Sequence, residues 1–249
     1  MPTGKALWDD QSLRDPHAAP DKPARVRGMF TAIAPTYDLN NRLHSLGLDQ
    51  HWRQWAVKMA QVKPADTVVD VACGTGDLSM QMASAGAAKV IGIDFTYAML
   101  PLAHAKARRQ GQAMTWLCAD AMRLPLADAC ADVVCIAFGI RNVADPAAAI
   151  GEFARVLRPG GRLVILEFSL PRNRLLRGLY GFYFRQVLPR SAAWISGDRT
   201  GAYRYLPQSV STFLSSEQML SLLQARGFDN ARCRSLSMGV CACYVGTRK

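Results

Sequence analysis

Residues 67–78 read T-V-V-D-V-A-C-G-T-G-D-L: a β-branched apolar run closing on Asp70, then small residues, then an acid that opens an apolar stretch. The run predicts a strand, the small residues a tight turn, and the stretch from Asp77 a helix. Gly74 and Gly76 put backbone without a Cβ where a ligand can come close, and the first amides of the following helix lack intrahelical acceptors. Open α/β sheets hold nucleotides at such a turn, at the carboxyl end of a parallel strand. On this stretch alone, a ligand-free βα turn would read the same.

The neighbours of the glycines narrow the ligand. A dinucleotide fingerprint asks for a third Gly or Ala for helix packing, and Ser79 stands there. Asp77 would lie beside a pyrophosphate and repel it, whereas a cationic ligand favours acids. S-adenosylmethionine, with an ammonium and a sulfonium, is such a ligand. The pattern Asp-x-Ala-x-Gly-x-Gly over 70–76 resembles the first motif of class I methyltransferases, with Ala72 where many members carry Gly.

At 249 residues and 50% hydrophobic content, the chain suits one large α/β domain with additions. Residues 1–24 are polar and contain proline, and read as a flexible arm without chemistry; they show no secretory signal. No apolar run approaches the length of a spanning helix. The seven cysteines lack C-x-x-C spacing and read as reduced cytoplasmic thiols, and the four histidines form no metal-ligand pattern, so no metal is expected. The net charge of +11 fits nucleic acid, an anionic membrane surface or a solubilising exterior. Between residues 171 and 210, seven arginines face one acid, Asp198.

Outward from the turn, residues 25–62 precede the nucleotide motif and can cap it, with Tyr37, Asp38 and Asn40 clustered and an amphipathic helix at 48–61. Tyr37 and Trp52 as packing residues, with Asp38 as a helix cap, is the plain alternative. Residues 89–94, K-V-I-G-I-D, form a strand ending in Asp94, 24 residues after Asp70. A second-strand acid at about 20 residues meets a ribose, so Asp94 is the expected ribose ligand. A third strand at 114–119 leads to Asp120 and Ala121 beside the adenine, with Met122 or Leu124 over the ring. A fourth at 132–138 leads to Gly139, Ile140, Arg141 and Asn142. Helices are expected at 77–85, 96–110, 146–157 and 216–226, and strands at 162–168, 231–236 and 240–247. The tight link at 237–239 forces the last two strands antiparallel. That layout resembles the class I methyltransferase sheet, order 3-2-1-4-5-7-6 with strand 7 reversed and helices on both faces.

Five runs are narrower: Y-D-L-N-N-R-L-H-S-L-G-L (37–48), D-V-A-C-G-T-G-D-L (70–78), F-G-I-R-N-V-A-D (138–145), L-E-F-S-L-P (166–171) and Y-R-Y-L-P-Q-S-V (203–210). Over residues 25–248 they resemble the ubiquinone/menaquinone biosynthesis C-methyltransferase family. The resemblance implies one methyltransferase domain at 25–249, with an N-terminal cap (25–62) and an insertion (171–212) over the substrate side. It carries the cofactor contacts to Thr75, Asp94, Asp120 and Ala121, beside Asp70, Gly74 and Gly76 of the turn. A further contact falls on Ala137, where the family often has Ser, so any bond from that hydroxyl is lost. Cys73 replaces a usual Gly, and of 49–53 only Trp52 and Arg53 carry over.

The implied reaction is methyl transfer from S-adenosylmethionine to a ring carbon of a polyprenylated quinol, demethylmenaquinol or the corresponding benzoquinol. Ring carbon becomes nucleophilic when the neighbouring hydroxyl loses its proton, so the site needs a group for the phenolate. Arg141 is the candidate, with an ion pair to an acid such as Asp145 as its structural alternative. Asn142 and Tyr37 are candidates for orienting the quinol; Asp38, Asp198, an ordered water or the arginine environment are open as proton acceptor. An NAD(P)-dependent oxidoreductase is disfavoured by Ser79 and Asp77. An RNA methyltransferase is disfavoured because F-G-I-R-N stands where amino-methylating enzymes carry Asn/Asp-Pro-Pro-aromatic, so no nucleic-acid partner is expected. A homodimer stays open. Residues 175–188 pack Tyr180, Phe182, Tyr183 and Phe184 between arginines, and are expected to touch the inner face of the cell membrane, a helix lining the substrate pocket being the alternative.

Overall fold

Strands form where β-branched apolar runs are bounded by Gly, Pro or Asp, and helices where the apolar period lengthens. The computed structural model describes residues 7–191 and 200–249. Its first part holds α1 (Lys22–Ile33), α2 (Tyr37–His44), α3 (Leu48–Ala60), β1 (Thr67–Val71), α4 (Asp77–Ser84), β2 (Lys89–Asp94), α5 (Leu100–Arg109), β3 (Thr115–Cys118) and β4 (Ala131–Ala137). Then follow α6 (Pro146–Val156), β5 (Leu157–Phe168), α7 (Arg174–Phe182), α8 (Ala202–Ser211), α9 (Ser216–Ala225), β6 (Phe228–Leu236) and β7 (Cys241–Arg248). The strands form one sheet in the order β3-β2-β1-β4-β5-β7-β6, as expected. β7 alone runs antiparallel to its neighbours, because the link at Ser237 and Met238 turns through positive φ values of 46° and 57°.

Alternation along the strands divides the core into two layers. Val69, Val134, Ile136 and Ile165 face α6 and α9, where Phe153 and Leu223 are fully buried. Val68, Val133, Cys135 and Val164 face α3 and α4, packing on Trp52, Ala56 and Met82. A sheet covered on both faces reads as continuous apolar runs, which is why its central strands were legible. Three boundaries differ from expectation by three residues or more, one being β6, which begins at Phe228 rather than Ala231. β5 begins at Leu157 rather than Arg162, since Leu157 already pairs with Ala131 before a register shift. The helix expected at 96–110 starts as a 3₁₀ turn, Tyr97–Met99, ahead of Pro101 near the N-terminus of α5.

A third apolar cluster lies apart from the sheet and joins the N-terminal segment to residues between β5 and α9. Trp8 is fully buried and stacks on Tyr205 at 4.2 Å, and Met29 and Ile33 of α1 pack with Phe184, Leu188 and Tyr205. The arm expected to be flexible is therefore packed over its described part, 7–24. Its polar ties include His17 Nε2, 2.9 Å from the Ser209 carbonyl, and Lys22, whose ammonium donates to the Val143 carbonyl at 2.6 Å. Burial lowers the Lys22 ammonium to about 8. No helix among the described residues is long and apolar enough to cross a membrane.

Candidate active site

The glycine turn leaves β1 through left-handed backbone. Ala72 has φ +51°, Gly74 +55° and Gly76 +82°. At Gly76 a Cβ would stand 2.7 Å from the Trp116 ring, so the position excludes a side chain. Asp94, at the end of β2, holds the turn in place: its carboxylate accepts the Gly74 amide at 2.8 Å and the Thr96 amide at 2.7 Å. Burial pushes the Asp94 carboxyl up against the opposing effect of those two amides.

Above the turn lies a cavity of about 780 Å³ whose lining includes Gly74, Asp94, Asp120, Ala121, Ala137 and Asn142. Pro23, Val26 and Phe30 of α1 close it from the N-terminal side, and Met99 and Met122 add apolar wall. Carboxylates at the ends of two adjacent strands, over an apolar floor, fit a ligand with ribose hydroxyls, a flat base and positive charge. Thr75 and Gly76 shape the turn but do not line this cavity.

Three acids read from the sequence as facing the ligand are engaged elsewhere. Asp70 is buried beneath the turn, accepting from the Ser79 hydroxyl at 2.5 Å, with Cys135 Sγ 3.6 Å away. Asp77, expected to welcome a cation, already has one: Lys106 Nζ at 2.7 Å, with Arg42 at 3.2 Å. Burial alone would raise its carboxyl, but the charges of Arg53 and Lys106 outweigh this and bring it to about 2. Asp38, a candidate proton acceptor, pairs with Lys106 at 2.5 Å and accepts from Thr75 Oγ1 at 2.6 Å. These bonds clamp α2 to the glycine turn. Asp198 lies outside the described residues.

Burial raises the Asp70 carboxyl to about 6, offset in part by the Ser79 and Cys135 contacts. The folded protein then holds this proton more tightly than the unfolded chain, so its contribution to stability falls as pH rises from about 4 to about 6. A shift of about two units corresponds to roughly 3 kcal/mol. Denaturant titrations across that range should show the decline in the parent and a flatter profile in Asp70→Asn; parallel profiles would remove the assignment.

A second cavity, of about 920 Å³, adjoins the first, and Phe30, Tyr37 and Phe138 line both. Phe138 sits at φ +57°, a left-handed conformation rare for a bulky residue. Its ring lies 4.6 Å from that of Phe168, and its carbonyl accepts Arg141 Nη1 at 2.8 Å and Asn142 Nδ2 at 3.3 Å, so the strain is held from three sides. Around the second cavity stand Trp52, Arg53, Phe168, Tyr180, Tyr203 and Tyr205.

Arg141 reaches this cavity and is 5% exposed. Its partner is Glu167 of β5, at 2.6 Å, and not Asp145, which instead caps α6 by accepting the Ala147 and Ala148 amides. The pair leaves Arg141 Nε buried with no partner among the described residues, as are His44 Nε2 and the Tyr180 hydroxyl. All three residues line the second cavity. Unsatisfied buried polar atoms in an aromatic-walled space suit an apolar ligand with a polar head. Asn142, in the wall of the first cavity, accepts at 2.9 Å from the hydroxyl of Tyr205, which lines the second. Glu167 escaped the sequence reading, although one acid in the apolar run L-V-I-L-E-F was its visible signal.

A seven-stranded sheet of this order, with a cation-compatible cavity at the carboxyl ends of β1, β2 and β3, defines a class I methyltransferase fold. A SAM-dependent methyltransferase of Thermotoga maritima superposes with TM-score 0.62 at 21% identity, covering 90% of this chain and all of the other. The cyclase SpnF matches with TM-score 0.63 at 19% identity, covering 80% of each chain, so the fold alone does not give the reaction. Sequence does give the family: residues 19–248 match the ubiE/COQ5 methyltransferase family, and the chain belongs to it. Demethylmenaquinone methyltransferase of Thermus thermophilus is 47% identical over 88% of this chain and its own entire length. That of Deinococcus radiodurans is 43% identical over 92% of this chain and 95% of its own length. The ubiquinone/menaquinone biosynthesis C-methyltransferase UbiE of Geobacter sp. (strain M21) is 42% identical over 93% of this chain and its own entire length. The chain is thus a C-methyltransferase with S-adenosylmethionine as methyl donor.

Proposed function

We propose that the protein methylates a ring carbon of a polyprenylated quinol, demethylmenaquinol to menaquinol, with the donor in the first cavity and the quinol in the second. The names of the relatives from Thermus and Deinococcus favour the naphthoquinol over the benzoquinol. The observation that carries the reading is the meeting of two cavities at Phe138, beside an arginine with a free buried donor. Asp94 accepts from the ribose hydroxyls, Asp120 from the adenine amino group, and the Gly74 and Ala137 backbone borders the ligand. The bound sulfonium supplies an electrophilic methyl group. Arg141, oriented by Glu167, donates to the quinol oxygen next to the reacting carbon and stabilises it as its proton passes to a water molecule, while Tyr37 and Asn142 set the ring against the methyl. Burial raises the Tyr37 hydroxyl, which keeps it a neutral donor. Such a substrate lives in the bilayer, so contact with the membrane surface belongs to the same reading. Purified protein given S-adenosylmethionine and short-tailed demethylmenaquinol or demethylated benzoquinol should methylate the naphthoquinol faster. No product from either would refute the reading; a benzoquinol preference would correct the ring.

A further inference from the structure

Among the described residues, eight of the eleven exposed large apolar side chains fall in two short segments. One is the corner joining α2 to α3, with Leu39, Leu43, Leu46 and Leu48. The other is α7 and the π-helical segment Tyr183–Val187 that continues it, with Leu175, Leu179, Phe182 and Val187. We propose that these segments form one docking surface for an anionic lipid bilayer, flanking the second cavity so that a bilayer-borne ligand reaches it. The proposal deepens the quinol reading and rests on it for the reason to dock.

The two segments are far apart in sequence and joined in space. The Tyr183 hydroxyl donates to the His44 carbonyl at 3.1 Å and lies 3.3 Å from His44 Nδ1. His44, Ser45, Tyr180 and Tyr183 all line the second cavity, so the exposed leucines border its wall. On α7, residues 175, 179 and 182 recur at helical spacing, which puts them on one face, and the helix has no buried residue. At the corner, Leu46 is 88% exposed and sits at φ +53°. A turn there suits Asn or Gly, and leucine gains nothing from that backbone or from water. An interface that covers the side chain gives it a reason to be there.

Charge selects the kind of interface. Arg174, Arg177 and Arg185 flank the apolar residues of α7, and the chain carries a net charge of +11. Leucines for the acyl boundary beside arginines for phosphate headgroups describe a surface that lies on a bilayer. The corner was not foreseen from the sequence. It adds apolar insertion, which salt does not screen, to the attraction of the arginines, which salt does.

The experiment floats the full chain with vesicles of phosphatidylcholine and phosphatidylglycerol at low and high salt. Leu43→Gln combined with Leu46→Asn removes the corner's apolar tip, and Asn suits the left-handed backbone, so the fold is kept. This variant should float about tenfold less than the parent at either salt concentration. Arg174, Arg177 and Arg185 replaced by Gln should lose only the salt-sensitive part. Both should methylate a short-tailed soluble quinol at the parent rate. A parent that stays in solution, or a corner variant that floats as well as the parent, would overturn the proposal. So would a lipid-free parent that sediments as a dimer split by the corner substitutions, since the face would then belong to a second copy. Vesicle binding is read without catalysis, so loss of the quinol reading would appear as absent methylation by every variant, whatever the flotation.

Discussion

Arg141→Ala should lower turnover by about two to three orders of magnitude, the loss seen when a donor to a developing oxyanion is removed. The affinity for S-adenosylmethionine should change little, since Arg141 borders the second cavity and not the first. The substitution also strands Glu167, which is 2% exposed, and an unpaired buried charge costs about 3 to 5 kcal/mol. Arg141→Ala with Glu167→Gln removes that charge and restores stability without restoring turnover. Calorimetry of cofactor binding, thermal unfolding and single-turnover rates separate these effects. Cofactor affinity falling in step with turnover would move Arg141 to the cofactor site; recovery of turnover in the double variant would make its role structural.

Asp94→Ala should weaken S-adenosylmethionine binding by roughly 1.5 to 3 kcal/mol, because the ribose hydroxyls lose a charged acceptor. Part of the loss comes through the turn, since the Gly74 and Thr96 amides lose their acceptor as well. Asp94→Asn keeps one carbonyl oxygen for those amides while removing the charge. Its affinity should lie between the parent and the alanine variant, with thermal stability close to the parent. Equal affinity in all three proteins would refute the ribose assignment.

The sheet order, the glycine turn, the strand-ending Asp94 and the arginine after β4 could all be read before any coordinate was known. Apolar periodicity, turn chemistry and loop length act over a few residues, and a family motif keeps its residue types in order. Side-chain partnership across the sheet is another matter. Glu167 comes beneath Arg141 because β4 pairs with β5 in the register Ala137↔Leu166, a proximity unrelated to their separation of 26 positions in the chain. Trp8, ahead of α1, meets Tyr205 of α8 only because both enter the third apolar cluster. Asp70 and Asp77 looked alike as cofactor-side acids. The fold buried one beneath the turn and gave the other to Lys106, since a carboxylate's role depends on which charges the tertiary structure brings within about 4 Å, where the interaction is strongest.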